Sequence, residues 1–127
     1  MIRERALKVV LVLVGLLFVA AIYPVTMAIV HPSPSDDSGD TMMMAIYFAL
    51  GVFLLMAVRN PSAHRSLIAF AAWSSFAHAV AMSALGFVPQ YASERVGFWW
   101  GSAVLVVIGV VLIALAPPKP TLNVPAS

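Results

Sequence analysis

Leu7 to Val30 reads LKVVLVLVGLLFVAAIYPVTMAIV, with one charge, Lys8, at its start and none after it. A run of that length and apolarity meets the roughly 20 residues a helix needs to cross about 30 Å of hydrocarbon. Working outward, three more such stretches follow: Met42 to Val58, Leu67 to Val88 and Val96 to Ala116. Apolar residues make up 62% of the 127 residues and charged residues 9%, a balance that in water would leave large apolar patches exposed. The expectation is an all-α integral membrane protein. It is a single domain over 1–127, a four-transmembrane-helix up-down-up-down bundle with helices near 7–30, 42–58, 67–88 and 96–116 and a short tail over 117–127.

Arg3, Arg5 and Lys8 ahead of an apolar core also resemble a secretory leader. The apolar stretch continues past Ala20 and Ala21 to Val30, longer than a leader's core, so a retained helix is expected. The basic residues then sort by side. Arg59 and Arg65 flank the second loop and Lys119 follows the last helix, whereas the first loop carries Asp36, Asp37 and Asp40 and no Lys or Arg. The positive-inside bias puts both termini and the second loop in the cytoplasm. A formal charge of +2 confined to such edges suits anionic lipid headgroups and implies no nucleic-acid partner. The absence of cysteine excludes disulfides, thiolate metal sites and a cysteine nucleophile.

Local chemistry agrees with these boundaries. The run His31 to Asp40 holds two prolines, a glycine and several turn-favouring residues, and Asp40 or Thr41 is placed to cap the second helix. Asn60 and Pro61 break the chain and Ser62 is placed to cap the third helix. Pro24, without an amide hydrogen, should bend the first helix or loosen one turn, either as a purely structural event or as a hinge that bares a carbonyl.

Polar residues inside a membrane are costly without partners and so mark candidate sites. The third helix holds Trp73, Ser74, Ser75 and His78, with both serines within one turn of the histidine. His78 lies 13 residues beyond Arg65, about 20 Å along the helix. Similar counting brings Tyr23, Tyr47 and Ser102 to the same outer layer, so that Tyr23, Tyr47, Ser74, Ser75, His78 and Ser102 would line a small ligand pocket if they all faced inward. The alternative is structural: His78 bonds a tyrosine or a carbonyl between helices, and the serines return their hydroxyls to carbonyls one turn back.

Other patterns carry less. His64 and His78 have the 14-residue spacing of haem-bearing membrane helices, but the other histidine, His31, lies in a loop, so no cofactor is expected unless a homodimer supplies the missing haem ligands. No carboxylate falls within a span, which disfavours a proton-coupled exporter and leaves His78 as the titratable candidate. Gly97, Gly101 and Gly109 share nearly one face of the fourth helix, where small residues allow close packing inside the bundle or in a dimer. Phe98, Trp99 and Trp100 read as an interfacial anchor, and Met42, Met43 and Met44 as adaptable filler, not a copper site. Arg59, His64 and Arg65 gather at the second loop, where they satisfy the topology rule and can meet lipid phosphates.

The stretch Arg59-Asn60-Pro61-Ser62-Ala63-His64-Arg65-Ser66-Leu67-Ile68, continued by Ala72-Trp73-Ser74-Ser75-Phe76-Ala77-His78-Ala79, resembles an uncharacterised bacterial family, a domain of unknown function, of short four-helix membrane proteins. The resemblance extends over all four helices, including Tyr23-Pro24 and Gly51-Val52-Phe53-Leu54-Leu55. It implies a bacterial inner-membrane location and ties Trp73, Ser74, Ser75 and His78 to a family pattern without giving them a role. Two functions follow as expectations. One is a non-enzymatic bundle that binds a lipid, quinone or other apolar ligand, or serves as an accessory subunit of a membrane complex. The other is a small transporter or enzyme using His78 as acid or base, for which no serine, histidine and carboxylate set is available within the spans.

Overall fold

A computed structural model describes residues 2–118. Its elements are helices α1 (Ile2–Val19), α2 (Ile22–Val30), α3 (Ser38–Ala57), α4 (Arg65–Leu85) and α5 (Arg95–Leu115), with 3-10 turns at Pro61–His64 and Pro89–Glu94. No strand occurs among the described residues. Taking each turn with the helix it leads into, and α1 with α2, four helices are long and apolar enough to cross a membrane: Ile2–Val30, Ser38–Ala57, Pro61–Leu85 and Pro89–Leu115. The expected tail over 117–127 lies outside the described residues from position 119 onward.

The helix starts differ from the sequence expectation for local reasons. Helix α3 begins at Ser38 and not Met42, because Asp37 is the cap and its carboxylate accepts from the Gly39 amide at 2.7 Å. Ser38, Gly39, Asp40 and Thr41 are therefore helical. Ser62 does not cap α4; it sits inside the Pro61–His64 turn, and the residue preceding α4, His64, makes no side-chain cap. The first span is interrupted at Ala20 and Ala21, one turn before Pro24. The Ala20 carbonyl, which would accept from residue 24 in an unbroken helix, instead receives the Tyr23 amide at 3.1 Å.

Two helix pairs build the bundle, α1 against α3 and α4 against α5, and they join mainly where α1 meets α5. Leu7, Leu11, Val14 and Phe18 form the inner seam of α1, spaced four, three and four apart so that they share one face. They pack with Leu50 and Leu54 of α3, Ile68, Ala71 and Ala72 of α4, and Ile108 and Leu112 of α5. Both pairs are antiparallel: Gly15 faces Gly51 while Phe18 stacks on Tyr47, and Phe76 faces Gly109 while Met82 faces Gly101.

Among the helix glycines, backbone meets backbone between α1 and α3. A Cβ on Gly51 would stand 2.8 Å from the Gly15 carbonyl oxygen and 2.8 Å from the Val19 amide nitrogen. On α5 the expected glycine face is only partly a contact. Gly101 lies under the end of Met82 and Gly109 under the Phe76 ring, but a Cβ on Gly97 would meet nothing within 4 Å. Gly97, one turn before Gly101, is exposed and makes no close contact within the bundle.

Arginines close the helix ends. Arg3 Nη2 donates to the Ala114 and Ala116 carbonyls at 3.2 and 2.9 Å, and Arg65 Nε donates to the Pro117 carbonyl at 3.0 Å. At the opposite end Arg95 Nε donates to the Gly86 carbonyl at 2.6 Å. Each guanidinium serves carbonyls at or just past a helix C-terminus, where backbone acceptors lack partners and the helix dipole favours positive charge.

Candidate functional site

Tyr47 and His78 meet across the sparse contact between α3 and α4. Tyr47 Oη lies 2.6 Å from His78 Nδ1, with the rings 5.3 Å apart and tilted by 46°. Phe18 of α1 holds the tyrosine from its other side, edge-on at 4.9 Å and 72°. Three helices thus fix the phenol that orients the imidazole. Because α3 begins at Ser38, Tyr47 sits nine residues, about 14 Å, inside its helix, deeper than the sequence boundary implied. His78 lies seven residues, about 11 Å, from the end of α4 at Leu85.

The far side of the imidazole is open. Among the described residues Nε2 has no hydrogen-bond partner, and no buried side-chain nitrogen or oxygen lacks one, so Nε2 borders the surroundings of the bundle. In a neutral imidazole one nitrogen donates and the other accepts. Whichever way the proton is shared with Tyr47, a single directional hydrogen-bonding atom therefore faces outward at the depth of the helix interior.

The remaining residues of the expected layer go elsewhere. Ser75 is fully buried and donates to the Ala71 carbonyl at 2.7 Å, and Ser74 donates to the same carbonyl at 3.2 Å. Both hydroxyls are turned back on their own helix. Ser102, 6% exposed, donates to the Ala79 carbonyl of α4 at 3.0 Å and accepts from Ser83 at 3.0 Å. That small relay ties α5 to α4 at the residue next to His78, and no hydrogen bond among the described residues joins it to the Tyr47–His78 pair. Tyr23 is 71% exposed and joins neither group. Ser83 and Phe18 are the residues that sequence reasoning missed. Ser83 is found by running α4 and α5 antiparallel, which brings it level with Ser102; nothing in the sequence singles out Phe18.

At the second loop the three expected headgroup residues separate. Arg65 is drawn inward to Pro117, while Arg59 and His64 are exposed. Arg59 closes a groove along α3 lined by Val19, Phe48, Val52, Leu55 and Met56. A second groove, between α1 and α5, is wholly apolar and lies against Leu13, Leu17, Trp100, Val104 and Val107. Among the described residues no three His, Asp or Glu side chains gather as a metal ion would require.

The family model of a family of unknown function, DUF6632, matches residues 2–121. The chain belongs to this family. The match takes in all five helices and both polar contacts, so Tyr47, His78 and Ser102 lie within the family region. No curated protein and no solved structure matches the chain.

Proposed function

We propose that the chain is a non-enzymatic integral membrane bundle that binds the polar head of an apolar ligand at His78. Its four helices cross up-down-up-down, with both termini and the second loop on the cytoplasmic side of a bacterial inner membrane, as the distribution of Lys and Arg argues. The observation that carries the ligand reading is the Tyr47–His78 pair: a held imidazole whose second nitrogen has no partner among the described residues. An unpaired polar atom within hydrocarbon is unfavourable, and a small carbonyl or hydroxyl head on a lipophilic body, as in a quinone, satisfies it while the body stays in lipid. The serine hydroxyls at the same level donate to backbone carbonyls, which leaves the imidazole without a nucleophile to activate and favours binding over catalysis.

Solvent extraction of the purified protein, followed by mass spectrometry, tests this. The wild type should carry a lipophilic carbonyl or hydroxyl compound in near-stoichiometric amount, and His78→Asn and Tyr47→Phe should lose it while keeping their helical content. Equal recovery from wild type and both variants, or recovery of bulk membrane lipid alone, would overturn the proposal.

A further inference from the structure

The groove along α3 has the shape and chemistry of a phospholipid site. Phe48, Val52, Leu55 and Met56 succeed one another at intervals of four, three and one residues, which keeps them on one face of α3, and Arg59 joins the lining from the turn just past the helix end at Ala57. Val19, at the end of α1, forms the opposing wall, and the groove encloses about 610 Å³. From Phe48 to the helix end at Ala57 is nine residues, about 14 Å of helix, with Arg59 in the turn just beyond. Half of a 30 Å hydrocarbon core is about 15 Å, so the apolar floor is as long as one leaflet and the guanidinium stands where that leaflet's phosphates would be.

Arg59 also differs from most of the other arginines. Arg3, Arg65 and Arg95 all spend their guanidinium groups on backbone carbonyls at helix ends. Arg59 is exposed and has neither a hydrogen bond nor an ion pair among the described residues. Five donors at the mouth of an apolar groove match a phosphate with an attached acyl chain.

We infer that this groove holds one anionic phospholipid, its acyl chain against Val19, Phe48, Val52 and Met56 and its phosphate on Arg59. The site rests on the membrane placement proposed above and not on ligand binding at His78. A zwitterionic lipid has the same tail and phosphate but carries a cationic group that a guanidinium repels, so net headgroup charge decides occupancy.

Native mass spectrometry of the detergent-solubilised full chain, offered equal amounts of phosphatidylglycerol and phosphatidylcholine, reads this directly. The wild type should retain phosphatidylglycerol about fivefold over phosphatidylcholine, the ratio equivalent to about 1 kcal/mol for one cationic side chain at an anionic surface. Arg59→Gln should bring the ratio close to one. Arg5→Gln removes an exposed charge at the same end of the bundle but outside the groove, and should leave the ratio unchanged. Val52→Trp, which fills the groove, should remove one bound lipid of either kind. An unchanged ratio in Arg59→Gln, equal losses in the two arginine variants, or a retained lipid in Val52→Trp would each overturn the site. Release of the protein from membranes by alkaline carbonate would instead refute the membrane placement, so the two failures are distinguishable.

Discussion

Replacing Gly51 with alanine should destabilise the bundle more than the same change at Gly97 or Gly101. The added carbon would lie 2.8 Å from the Gly15 carbonyl oxygen, 2.8 Å from the Val19 amide nitrogen and 2.9 Å from the Phe18 Cβ. None of these atoms sits at the end of a flexible side chain, so α1 and α3 must move apart. Overpacking costs about 1–3 kcal/mol, and two backbone obstacles place Gly51 in the upper half, about 2–3 kcal/mol. Alanine returns about 1 kcal/mol through helix propensity, for a net loss of about 1–2 kcal/mol. Gly97→Ala meets nothing within 4 Å and should be neutral or gain up to about 1 kcal/mol. Gly101→Ala meets only the end of Met82, which can swing away, and should fall between them. Reversible unfolding by SDS titrated into mixed micelles, followed by helical circular dichroism, ranks the three. A Gly51→Ala protein as stable as Gly97→Ala would refute the close α1–α3 contact.

Further expectations concern the polar contacts. Double-mutant cycles in the same assay, with Tyr47→Phe and His78→Leu, should give a coupling between about 0.6 and 1.7 kcal/mol, the mean and the maximum measured for hydrogen bonds between membrane helices; zero coupling would mean that the 2.6 Å contact contributes nothing to the fold. His78→Asn and His78→Gln should keep most of the stability that His78→Leu loses, because they retain hydrogen-bonding atoms. Ser102→Ala removes the link between α5 and the Ala79 carbonyl and should cost about 0.6 kcal/mol or more, whereas Ser74→Ala, whose hydroxyl returns to its own helix, should leave the unfolding curve in place.

The four long helices were legible because membrane crossing is a matter of length and apolarity, and each span announces both. Which face of each helix packs inward was not. The outward faces are as apolar as the inward ones, as exposed Leu13, Leu16, Val107 and Val110 show, so the 3.6-residue alternation that orients a helix in water disappears. Tyr23 shows the consequence: counting placed it level with His78, but nothing in Ile22-Tyr23-Pro24 said that it would stand 71% exposed. The packing role of Gly15 and Gly51 went unread for the same reason, each a lone glycine in an apolar run, while the regularly spaced Gly97 proved to face open space. Tyr47 and His78 were both marked as polar residues at membrane depth, and their pairing needed only the register of α3 against α4. The arginine caps could not be read, since Arg3 reaches carbonyls more than a hundred residues away.

Both proposed sites depend on the chain crossing the membrane, and the orientation on its termini lying inside. The chain has no cysteine, so single cysteines report position without background. Ser38 and Ala63 are both exposed, one at the start of α3 and the other in the turn before α4. In intact cells a membrane-impermeant thiol reagent should label Ser38→Cys at once and Ala63→Cys only after lysis. Labelling of Ala63→Cys in intact cells with Ser38→Cys protected would contradict the orientation, and labelling of both from the same side would contradict the crossing and with it both proposed sites.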